Sequence, residues 1–184
     1  MKRIVWKYGL ISGIILAALT AVLLPLCMAR GIDFDHSEII GYSSMVLAFL
    51  LVFFGIRSYR ESIGGGSISF ARAFRVGILI TLVTCAFYVV AWEIVYYGFL
   101  PDFAETWSSF TIEKMREEGA TEEAIAETER KMAQFRELYA NPLFNVLITF
   151  MEVFPVGLIV TLVSAAILRR KPGGGAPSAA AAAA

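Results

Sequence analysis

The chain has little of what soluble active sites are built from. In 184 residues there is one histidine, His36, and there are two cysteines, Cys27 and Cys85. A lone histidine excludes a HExxH zinc site and any multi-histidine centre, and no nucleophile elbow or Cys-His pair is present, so enzyme activity is not expected. Both cysteines stand in apolar runs without CxxC spacing; they suggest neither a disulfide framework nor a metal site and read as small packing residues. Charge is scarce as well. Charged residues make up 17% of the chain against 58% hydrophobic ones, and the mean hydropathy of +0.68 lies well above that of soluble domains. Sixteen Lys and Arg balance sixteen Asp and Glu, so no global charge points to nucleic acid. No cofactor is indicated.

What the chain does have is long apolar runs. Crossing about 30 Å of hydrocarbon takes about 20 helical residues. Four stretches qualify, at about 8–28, 39–56, 74–97 and 142–168. The expected fold is therefore an all-α membrane protein with four transmembrane helices. Lys2 and Arg3 ahead of the first run, with Ala29 after it, resemble a signal peptide, but the apolar core is too long for that, and an uncleaved helix is expected. A lipoprotein reading of Cys27 fails because Leu26 precedes it where a small residue belongs.

Lys and Arg near span ends are retained in the cytoplasm. Lys2, Arg3 and Lys7 precede the first span; Arg57, Arg60, Arg72 and Arg75 flank the second connection against Glu61 alone; Arg169, Arg170 and Lys171 follow the fourth. The first connection, with Asp33, Asp35 and Glu38 against Arg30, and the third are acidic. All five segments alternate, which predicts both termini on the cytoplasmic side of the membrane and the long third connection outside. Trp6 and Tyr8 at one end, and Trp92, Tyr96 and Tyr97 at the other, suit the two interfaces.

The third connection reads as an extracytoplasmic helical hairpin over about 102–139. Phe103, Trp107, Phe110 and Met115 recur at helical spacing up to Gly119. Thr121 then stands as an N-cap, with Glu122 and Glu123 in the first turn, and Ile125, Thr128, Met132, Phe135 and Tyr139 form a narrow seam. Gly64-Gly65-Gly66-Ser67 lacks the following Lys-Ser or Lys-Thr of a phosphate loop and reads as a flexible turn, with Ser69 placed to cap the third helix. Residues 172–184 are almost all Gly and Ala and are expected to be a disordered tail.

Small residues four apart mark contact faces in membranes: Gly9, Gly13, Ala17 and Ala21 on the first span, Gly77, Thr81 and Cys85 on the third, Gly157, Thr161 and Ala165 on the fourth. Packing within one four-helix bundle is the expected use. Pro25 and Pro155 each remove a helical hydrogen bond and are expected to kink their spans.

Glu93 and Glu152 are the sharpest features, because an ionised carboxylate in hydrocarbon is costly and such residues face a partner, a cavity or a proton path. Glu152 lies about ten residues into its span, so near mid-depth at 1.5 Å per residue. No Lys or Arg lies level with either acid, so at least one carboxyl is expected to be neutral and to donate to a backbone carbonyl or a tyrosine, with Tyr42, Tyr88 and Tyr96 as candidates. The alternative is a structural hydrogen bond that fixes helix packing. Asp33, Asp35, His36 and Glu38 match no metal motif; Asp35 or Ser37 reads as an N-cap.

The chain resembles a bacterial family of small membrane proteins catalogued as domain of unknown function number 4199. The resemblance rests on Lys7-Tyr8-Gly9-Leu10-Ile11-Ser12-Gly13, Phe54-Gly55-Ile56-Arg57-Ser58-Tyr59-Arg60, Gly66-Ser67-Ile68-Ser69-Phe70, and Asn141-Pro142-Leu143-Phe144 through Phe154-Pro155-Val156-Gly157-Leu158. It implies a four-helix membrane protein without an established activity. On this reading the chain is a non-enzymatic accessory or interaction subunit whose outer hairpin meets a membrane-protein partner or a second copy. The alternative is a small transporter or channel component using Glu93 and Glu152.

Overall fold

The structure, a computed structural model, describes the backbone of residues 1–29 and 34–170 and the side chains of 1–22 and 39–170. The acidic cluster from Asp33 to Glu38, the side chains of Cys27 and Pro25, and the tail lie outside the described side chains. Among the described residues six helices follow in order: α1 Lys2–Ala29, α2 Phe34–Ser62, α3 Phe70–Phe99, α4 Phe103–Glu117, α5 Glu122–Tyr139 and α6 Pro142–Leu168. Four of them, α1, α2, α3 and α6, contain stretches long and apolar enough to cross a membrane. The chain is thus an all-helical membrane protein.

The four long helices pack as a diamond. α1 and α6 each lie against both α2 and α3, and the latter two share the short diagonal. A Cβ on Gly9 would meet Val83 at 2.8 Å and one on Gly13 would meet Phe87 at 2.6 Å, so α1 and α3 run parallel in close contact. A Cβ on Gly77 would meet Thr161 at 2.8 Å and one on Gly157 would meet Thr81 at 2.5 Å, so α3 and α6 run antiparallel. The expected small-residue stripes therefore serve packing within the chain. Polar side chains bind the same contacts where no water competes: Ser12 donates to the Ala48 carbonyl at 2.7 Å, and the Thr81 and Thr161 hydroxyls share a 2.8 Å bond.

Local signals set the helix ends. The Ser69 side chain accepts from the Arg72 N–H and starts α3, and Thr121 accepts from the Ala124 N–H and starts α5, each satisfying a donor that the first turn leaves open. Asn141 accepts from the Leu143 N–H, with Pro142 in the first turn of α6, where its missing N–H costs nothing. Gly119, at φ 75°, closes α4 as Ala120 N–H bonds back to the Met115 carbonyl, a left-handed stop that suits glycine. α2 begins at Phe34, ahead of Asp35 and Ser37. Neither is its N-cap, and their place in the first turn suits them as well.

The basic end of the bundle is tied more firmly than a flexible turn would be. Gly65 and Gly66 hold φ of 58° and 82°, a region that side chains avoid. Gly66 N–H reaches the Arg60 carbonyl at 3.0 Å, and Ile68 and Arg170 exchange both backbone bonds at 3.0 and 2.9 Å. This bridge joins the α2–α3 turn to the chain leaving α6.

Candidate functional site

At the opposite end, polar side chains gather where α3, α5 and α6 meet. Tyr88, Trp92 and Tyr96 recur every four residues on α3, so they share one face. Asn145, Thr149 and Glu152 fall at i, i+4 and i+7 on α6 and share another. The α3–α6 contact turns these two stripes toward each other: the Trp92 indole N–H is shared between the Tyr139 hydroxyl at 2.9 Å and Asn145 Oδ1 at 3.1 Å.

Thr149 donates to the same Asn145 oxygen at 3.3 Å. Two donors on Oδ1 fix the amide orientation. They leave Asn145 Nδ2 buried without a hydrogen-bond partner. Tyr139 is the last residue of α5, so this network fastens the hairpin to the bundle. Burial raises its phenol above the ordinary value, which keeps the hydroxyl intact as a bonding group. Aromatic rings seal the surroundings: Phe103 meets Trp92 edge-on at 5.0 Å, and Tyr96 meets Tyr139 edge-on at 5.3 Å.

Trp92 and Tyr96, which composition assigns to the lipid interface, are 7% exposed, whereas Tyr97 is 52% exposed. The start of α4 and the end of α5 fold back over the first two rings, a contact no local pattern announces. Asn145 and Thr149 were not singled out from the sequence either. Their signal is the spacing Asn-x-x-x-Thr-x-x-Glu in an otherwise apolar helix.

The two acids occupy different surroundings. Glu152 is exposed on the bundle surface and lies within electrostatic range of Tyr88 and Tyr139; Tyr42 of α2 also acts on Tyr88. Pro155, inside α6, has no N–H to offer the Met151 carbonyl one residue before Glu152. Glu93 stands about 100° around the helix from Trp92, acts on Tyr96 together with Tyr97 and Asp102, and keeps Oε1 buried without a hydrogen-bond partner.

Measured from the basic ends of their helices, Glu152 lies about 24 Å along α6 and Glu93 about 34 Å along α3. Among the described residues, no group of three His, Cys, Asp or Glu side chains is placed to hold a metal ion.

This geometry defines a multi-pass helical membrane protein whose short α4–α5 hairpin is bonded to its bundle. The chain belongs to the family described as protein of unknown function, DUF4199, whose profile matches residues 7–170. No curated protein and no solved structure matches it.

Proposed function

We propose that the protein is a non-enzymatic accessory subunit of the bacterial inner membrane that works by contact, with its α4–α5 hairpin as the surface a membrane-protein partner meets. Both chain ends lie in the cytoplasm and the hairpin outside, a placement supported by the gathering of Lys and Arg at the end opposite the hairpin. The observation that carries the reading is the buried bond set from Trp92 to Tyr139 and Asn145: it gives a small charged hairpin a fixed pose, as a recognition surface needs and a mere linker does not. An open groove lined by Ser109, Ile112, Glu113, Arg116, Glu117 and Glu129 runs along that hairpin, and its charged rim suits a polar partner surface.

A second reading, a small transporter or channel component, draws support from Glu152, an acid within an apolar helix and in electrostatic range of Tyr88 and Tyr139. Against a pore through one bundle stands its middle, where Phe49, Thr81 and Thr161 are fully buried and a Cβ on Gly157 would meet Phe49 at 2.7 Å.

Isolation from native membranes in mild detergent separates the two. The contact reading expects a second membrane protein in fixed ratio, lost when Glu113 and Glu117 are both changed to Lys while the bundle still folds. A homo-oligomer that conducts ions in liposomes, and stops when Glu152→Gln is introduced, would replace it with transport.

A further inference from the structure

Three segments far apart in sequence meet at the basic end: the start of α1, the α2–α3 turn and the end of α6. The bridge between Ile68 and Arg170 holds the last two together, and Arg60 reaches the Leu168 carbonyl at 3.5 Å. Lys2, Arg3, Arg72, Arg75, Arg169 and Arg170 are all exposed here, and none of them makes an ion pair among the described residues. Glu61, the one acid of this end among the described residues, is engaged by Arg57 at 2.9 Å and Arg60 at 3.4 Å. Uncompensated like charges at close quarters repel and attract counter-ions.

Retaining positive residues on one side of a membrane requires only that they lie near span ends. It does not require that separate segments be locked side by side. Here the backbone bridge sets Arg170 beside the turn that runs straight into Arg72 and Arg75, which sit three apart on one face of α3. The same three segments carry exposed apolar side chains on α1 and around the turn: Trp6 at 55%, Ile63 at 52% and Phe70 at 40%. Cations beside apolar surface match a ligand that carries both an anionic head and acyl chains.

We propose that this end is a binding surface for anionic phospholipid, its headgroup phosphate held by Arg72, Arg75 and Arg170 and its chains lying along Trp6 and Phe70. The proposal rests on the membrane reading and is independent of which partner the hairpin meets.

The test uses the full chain reconstituted in vesicles of equal phosphatidylcholine and phosphatidylglycerol, re-extracted in mild detergent and weighed with its retained lipid by native mass spectrometry. Phosphatidylglycerol is expected to be enriched over phosphatidylcholine. Each of R72Q, R75Q and R170Q is expected to lower that enrichment about fivefold, whereas the matching Lys variants keep it. R130Q with R136Q on the hairpin leaves it unchanged. Equal enrichment in all three Gln variants, or equal loss in the hairpin variant, overturns the proposal. So does displacement of the lipid by millimolar inorganic phosphate, which would make this a site for a free anion. Thermal unfolding in pure phosphatidylcholine, expected to be the same for all variants, separates lost binding from lost fold.

Discussion

Trp92 is the residue on which the hairpin-end contacts converge. Its indole N–H serves Tyr139 and Asn145 at once, so Trp92→Phe keeps an aromatic ring and removes a donor shared by two acceptors. Leaving buried polar groups short of a partner costs about 1–3 kcal/mol, and thermal unfolding in detergent is expected to show that loss. Asn145→Leu removes the acceptor and the unpartnered Nδ2 together. Because the two residues share one network, the double variant is expected to be less destabilised than the summed singles; strict additivity would show that the shared bond contributes nothing. A reader of the sequence sees Trp92 as an interface anchor because its neighbours Tyr96 and Tyr97 end a span. Its burial depends on α4 and α5, 11 and more residues later, and side-chain periodicity within one helix does not report on that.

At the scale of elements, the close contact of α3 with α6 was legible. Gly77 and Thr81 on one helix, Gly157 and Thr161 on the other, are spaced as lipid-embedded contacts require, and each meets its counterpart. Gly157→Val would drive a branched side chain into Thr81 and Phe49, and overpacking of this kind costs about 1–3 kcal/mol. A lower unfolding temperature is expected, together with easier exchange of amides in α3 and α6 relative to α1. An unchanged unfolding temperature would mean that the two helices are not in the contact described.

The helix caps Ser69 and Thr121 were equally legible, since capping is a local matter. The α2–α3 turn was not. Its glycines looked like slack, but their left-handed backbone and the distant bridge to Arg170 make it a fixed piece of structure.

For the whole molecule, segregation of charge is the fact from which most else follows. Cations gather at the end where the α2–α3 turn meets the chain leaving α6, and the hairpin rises from the other. The four apolar helices between them are long enough to cross a bilayer. We propose above all that the basic end and the hairpin lie on opposite sides of a membrane. Single cysteines placed at Gly66 and at Ala120, in a chain whose Cys27 and Cys85 are replaced by Ala, measure this with a membrane-impermeant thiol reagent on intact cells. The cysteine at 120 is expected to react in intact cells, and the one at 66 only after the membrane is opened. Equal labelling of both from the same side would contradict the account.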